Sequence, residues 1–330
     1  MNNKSSYFIS KKLLFFLIIS TLYIVLVTYR LPYCSDTNNY LTHPGFEKLN
    51  LLSADNLLYH LLYLIGDNIL WFKYLQTVSV IFFLSGLFII PINSGRFLLA
   101  SLIPWFYSII GLHYWSCGIR NSVSFSLLFF LFCFINSKIF IDRKYLRFIV
   151  KTIFAILSLI THWTSIFILP FVLKKTLLNN ILEIFNSIFL FKIPKKNIYK
   201  NILFILGFLL IVVFGANKLE IYSFFASRQA YGTKFPIVMI VNLIIYYFLH
   251  KDSIKKIKEI SSLYFLTLVT SASTFFGFTQ LVIRFQLAFW ILFLVSILIY
   301  QRKNAFTFFM LSSPAFLYYL LNNYSLYYLY

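Results

Sequence analysis

The chain has 330 residues, of which 60% are hydrophobic and 12% charged, and its mean hydropathy is +0.82. No soluble fold has enough interior to hide that much apolar surface, so the composition excludes a water-soluble globular protein and implies an all-α polytopic membrane protein. The net charge of +20 does not point to nucleic acid, because Lys and Arg stand in short runs between apolar stretches, as cytoplasmic loops do in membrane proteins.

The 41 Phe and 24 Tyr, set against 10 Gly and 8 Pro, favour long apolar helices over the alternating pattern of a membrane β-barrel. The whole of 1–330 reads as one integral membrane domain with a cytoplasmic N-terminus. Leu13 to Tyr29 follows Lys11 and Lys12 as the first span, and Arg30-Leu31-Pro32-Tyr33-Cys34 offers no small-x-small cleavage site, so this span reads as a retained anchor. Residues 30–72 form the largest external loop, which holds Asp36, Glu47, Asp55 and Asp67 and an interfacial helix over 54–71.

Further spans are expected at 73–92, 97–112, 121–137 and 147–161. The short stretch 162–173 then sets the parity of everything after it. A crossing there puts the lysines of the 174–200 loop inside, with a surface helix over 176–191, and inner basic clusters follow at Lys251, Lys255 and Lys256 and at Arg302 and Lys303. Spans at 201–217, 236–250, 260–278, 285–300 and 305–321 bring the total to about eleven, each near the length a bilayer core requires. Under this topology only Arg30, Lys48, Lys73, Arg120, Lys218, Arg228, Lys234 and Arg284 lie at or near the outer side, and Lys151 lies within a span. The Tyr-rich end, 324–330, reads as an interfacial aromatic belt.

The polar outliers gather at the outer side: Arg30, Asp36, His43, His113, Arg120, His162, Arg228 and Arg284. Arginine's planar fork suits bidentate phosphate binding, although an Arg at a helix mouth also snorkels to lipid phosphate. Arg120 and Arg284 each interrupt an otherwise uncharged run, 116–123 and 273–289, and so need an anionic partner from elsewhere. On a continuous helix His113 shares a face with Arg120. His162 sits at the apex of a proposed hairpin in Ile160-Thr161-His162-Trp163-Thr164-Ser165, where it is either a structural histidine bonded to a backbone carbonyl or a proton acceptor. Asp36 is either a helix N-cap or a catalytic carboxylate. Cys34, Cys117 and Cys133 have no metal-ligand spacing, and a disulfide between Cys34 and Cys117 stays open. Walker, GxGxxG, HExxH and nucleophile-elbow motifs are absent, so no cofactor and no metal is expected.

Five places in the chain resemble elements of the EpsG family of bacterial polysaccharide biosynthesis proteins, which includes Wzy-type O-antigen and capsule polymerases. Asp36-Thr37-Asn38-Asn39-Tyr40 resembles its external Asp-x-x-x-Tyr element, and Pro44-Gly45-Phe46 its Pro-Gly-aromatic segment. Gly118-Ile119-Arg120-Asn121-Ser122 resembles its Arg turn opening a span, Thr161-His162-Trp163-Thr164-Ser165 its His-x-Ser-type element, and Ile283-Arg284-Phe285 its late Arg-aromatic element. Where the family has an acidic residue before Pro-Gly, this chain has His43, with Glu47 just after.

The resemblance implies a GT-C-like polymerase architecture in the bacterial inner membrane, acting at the periplasmic face without a metal. Its substrate would be an oligosaccharide repeat unit on undecaprenyl pyrophosphate, and a chain-length regulator and membrane lipids would be its partners. His162 or Asp36 would orient or deprotonate the acceptor hydroxyl. Arg120 and Arg284, with Arg228, His113, Arg30 and Tyr40, would bind substrate and stabilise charge developing on pyrophosphate. A lipid-linked oligosaccharide flippase or transporter, a membrane acyltransferase and an O-antigen ligase are the alternative readings.

Overall fold

The computed structural model describes residues 3–30, 69–106, 119–162, 165–189, 198–203, 206, 234–273 and 279–300. Among these residues every regular element is a helix and none is a strand: α1 (Asn3–Arg30), α2 (Ile69–Ile89), α3 (Ser94–Phe106), α4 (Ile119–Asn136), α5 (Lys144–Thr161), α6 (Ser165–Leu173), α7 (Lys175–Asn179), α8 (Ile181–Phe189), α9 (Lys234–Lys256), α10 (Lys258–Ser273) and α11 (Thr279–Tyr300). The expected interfacial helix over 54–71 and the spans at 201–217 and 305–321 lie wholly or largely outside the described residues.

By length and composition two of these helices can cross a membrane, over Lys11–Tyr29 and Phe72–Ile89, and shorter apolar helices cover Ser122–Asn136 and Ala288–Tyr300. The stretch expected to cross at 162–173 contains α6, whose nine residues include Pro170. At 1.5 Å per residue α6 rises about 14 Å, roughly half a hydrocarbon core.

Packing groups the described residues into two units, one ending at Leu169 and the other starting at Pro170. In the first unit, the Lys12 ammonium donates to the carbonyls of Phe88 (2.6 Å) and Ile90 (3.0 Å), so the start of α1 lies beside the end of α2 and the two run antiparallel. A cation there satisfies carbonyls left without partners at a helix C-terminus. Phe16, Phe88 and Phe97 cluster next to it, with ring centroids 5.4–6.5 Å apart, and the Tyr23 hydroxyl donates to the Ser101 carbonyl of α3. The side chain of Asn93 starts α3 by accepting the Arg96 N–H at 2.9 Å.

α2 and α4 run parallel, because Gln76 meets Ser122 (3.1 Å) near their starts and Ser79 meets Ser126 (2.8 Å) one turn further along both. Gly86 allows them to approach closely: a Cβ there would stand 3.2 Å from the Phe130 Cα and 3.3 Å from the Phe129 ring. The Phe83 and Phe129 rings stack at 4.3 Å beside it.

α4 and α5 run antiparallel. Arg147, in the first turn of α5, donates to the carbonyls of Ile135 (2.7 Å), Ser137 (3.3 Å) and Ile139 (2.9 Å) at the end of α4. Lys11, Lys12, Arg96, Lys138, Arg143, Lys144 and Arg147 therefore share one end of this unit. The starts of α2 and α4 and the finish of α5 occupy the other.

In the second unit, Tyr264 of α10 donates to the Leu243 carbonyl of α9 at 3.1 Å, and Phe293 of α11 packs against Tyr246, Tyr264 and Trp290. The single surface helix expected over 176–191 is instead two, α7 and α8, separated by a turn at Asn180 whose N–H returns to the Leu177 carbonyl at 3.2 Å. Their apolar residues Leu177 and Ile184 pack with Ile198, and Phe185 meets Phe265 of α10 at 4.8 Å.

Candidate functional site

The run Ser122-Val123-Ser124-Phe125-Ser126 places hydroxyls on two faces of α4. Ser122 and Ser126 are one turn apart, whereas Ser124 is rotated about 200° from Ser122. The first pair faces α2, as described above. Ser124 faces the other way and donates to the Ser158 carbonyl of α5 at 3.0 Å, and its hydroxyl also meets that of Ser165 in α6.

Ser158 and Ser165 flank the corner where α5 stops and α6 begins. His162 stands at that corner with extended backbone (φ −158°, ψ 125°), donating its N–H to the Ser158 carbonyl at 3.1 Å. Its own carbonyl accepts the Ser165 N–H at 3.1 Å. His162, expected at or near the outer side, is only 3% exposed. Ser122, Ser124, Ser158, Thr161 and Ser165 are buried as well.

Arg120 lies in the first turn of α4, one turn before Ser124. The backbone thus brings the Arg120 position and His162 to the same end of the first unit, the end opposite the basic cluster. Arg30 is the last residue of α1, and Arg284 lies in α11, in the second unit. The side chains of Arg30, Arg120 and Arg284 lie outside the described residues, as do Asp36, Tyr40, His113 and Arg228 in full.

Two features escaped the sequence reading. The first is the hydroxyl set around Ser124, whose signal was the serine run in an apolar span, matched by Gln76 and Ser79 on α2. The second is Glu259 in the second unit, 3% exposed, whose carboxylate faces Lys175 at 3.2 Å and accepts bonds from Tyr300 (2.8 Å) and Ser296 (3.2 Å). Lys175 in turn donates to the Tyr300 hydroxyl at 3.0 Å. Partial burial opposes the Lys175 charge, but the Tyr300 hydroxyl and the Glu259 carboxylate outweigh it and raise the ammonium above its usual pKa. A buried carboxylate met by three donors is a structural tie between α7, α10 and α11. Among the described residues no three His, Cys, Asp or Glu come together in a way that could hold a metal.

Among the described residues the chain is thus helical, with two helices able to span a membrane by length and composition and a corner bonded through serine hydroxyls at one end of its first unit. It matches no protein-family model, no characterised protein and no solved structure.

Proposed function

We propose that the chain is a polytopic polysaccharide polymerase of the EpsG/Wzy type in the bacterial inner membrane, with about eleven crossings and a cytoplasmic N-terminus. It transfers the growing glycan from undecaprenyl pyrophosphate to the next lipid-linked repeat unit at the periplasmic face. An acceptor hydroxyl oxygen bonds to the anomeric carbon of the growing chain, the bond from that carbon to pyrophosphate breaks, and the hydroxyl proton passes to a base, His162 or Asp36. Arg120 faces the charge that develops on the departing pyrophosphate, in place of a metal.

One observation carries this reading: the start of α4, which bears Arg120, and the corner that bears His162 are hydrogen-bonded together at the end of the first unit opposite the cluster of Lys11, Lys12, Arg96, Lys138, Arg143, Lys144 and Arg147. The positive-inside rule assigns that basic end to the cytoplasm, so the Arg120 and His162 end is external. The apolar face that α1 leaves exposed, with Leu14, Leu17, Ile18, Leu22 and Val25, supports a lipid-facing helix.

The test is the surface-glycan ladder of a strain lacking the protein. Single repeats with no ladder, restored to long chains by the wild-type gene, are expected. Complete loss of attached glycan points instead to a flippase or a ligase.

A further inference from the structure

We propose that Ser124 is a positioning residue, whose hydroxyl fastens the corner bearing His162 to the first turns of α4, the helix that begins beside Arg120. Its consequence for catalysis rests on the glycosyl-transfer reading above, whereas its geometry stands on contacts alone. His162 is held at both backbone groups, its N–H by the Ser158 carbonyl and its carbonyl by the Ser165 N–H, each at 3.1 Å. Both of those residues are bonded to Ser124: the Ser158 carbonyl accepts its hydroxyl at 3.0 Å, and the Ser165 side-chain hydroxyl meets it. One side chain on α4 therefore reaches both sides of the corner.

The Ser158 carbonyl, in the final turn of α5, already accepts the His162 N–H, so the Ser124 hydroxyl is its second donor and ties that turn to a different helix. Ser124 is 2% exposed, so without its hydroxyl no water would readily replace the bond. An alanine would fill nearly the same space while leaving the corner free to shift along α4. Such a shift changes the separation of His162 from Arg120, which stands one turn before Ser124. Groups acting on two ends of one transferring bond tolerate such displacement poorly.

The test uses the full chain in lipid nanodiscs, with Ser124→Ala and, as a second variant, Ser165→Ala, which removes the clasp from the α6 side. Amide exchange at positions 162 and 165 should quicken about fivefold in each, while α1 and α2 exchange as in the wild type. In repeat-unit transfer Ser124→Ala should lower kcat about tenfold and leave KM for the lipid-linked substrate within about twofold. Combined with Arg120→Ala it should add little, because both changes disrupt one arrangement. Unchanged exchange at both amides in both variants overturns the clasp whatever the activity. Full multiplication of the Ser124→Ala and Arg120→Ala effects overturns the positioning role. If the wild type transfers no glycan, the reaction proposed above fails, and faster exchange at the two amides still supports the clasp.

Discussion

Lys175 and Glu259 meet at 3.2 Å although one side chain is 48% exposed and the other 3%. That asymmetry predicts unequal costs of removal. Lys175→Ala leaves a buried carboxylate with only Tyr300 and Ser296, whereas Glu259→Gln leaves a lysine that can reach water. The first should cost about 2 kcal/mol, below the usual figure for a buried pair because one partner is half in solvent, and the second about 1 kcal/mol. Thermal unfolding in detergent compares them, and equal losses would contradict the asymmetry.

The same pair makes a prediction about pH. The raised pKa of Lys175 means that its stabilising effect is complete below the unfolded lysine value of 10.5 and is lost only as pH rises past it, through the folded value. The gap in melting temperature between wild type and Lys175→Ala should therefore stay constant at pH 7, 8 and 9. A gap already closing at pH 9 would show that the ammonium is not held by this network.

The fold was legible where apolar runs were long. The spans expected at 13–29, 73–92, 121–137 and 147–161 overlap α1, α2, α4 and α5 closely, because composition and length decide such helices. The contacts that orient them were not legible. Nothing local says that Lys12 reaches Phe88 or that Arg147 caps α4, since these bonds depend on which helix ends meet. For the candidate site, His162 was visible as a polar residue between apolar segments, but its burial was not, because that depends on which helices pack around the corner. The two faces of the serine run on α4 are not legible from the span at 121–137 or from the Gly118–Ser122 element alone. Their use follows from helical rotation once the neighbours are known.

Arg120→Ala and Arg284→Ala should each collapse long glycan chains toward short ones with protein level intact. Losing one charge-assisted contact formed mainly in the transition state costs roughly 3 kcal/mol, or about a hundredfold in rate. Lys should rescue poorly at either position, because it lacks the planar fork. Full rescue by Lys would assign that arginine to lipid headgroups, and a normal ladder from the Ala variant would remove it from the reaction.

Transfer by the purified protein should survive chelation, since arginines take the electrostatic role in the proposed site. Loss of activity with EDTA and its return with Mg²⁺ or Mn²⁺ would replace the arginine account with a metal-dependent one.

Reporter fusions should place the residues after Leu173 in the cytoplasm and those near Asn217 in the periplasm. The short α6 makes this the most exposed part of the topology, because its rise of about 14 Å covers only part of a bilayer core. Inverted results at both positions would remove the crossing at 162–173 and bring Arg228 to the inner side.

The bond from Lys12 to the Phe88 carbonyl joins residues 76 positions apart. At 5–20 residues per second, a ribosome needs about 4–15 s to make the chain between them, so Lys12 spends that interval without its acceptor. In the proposed topology its charge is available during this time to headgroups and to the insertion machinery as an orientation signal. Only when the end of α2 emerges is the same charge withdrawn into a cap. In the proposed topology Lys12 would thus act twice, first steering insertion of α1 and then fixing α2 against it. A defect at this position would arise during synthesis, before there is a folded protein to destabilise.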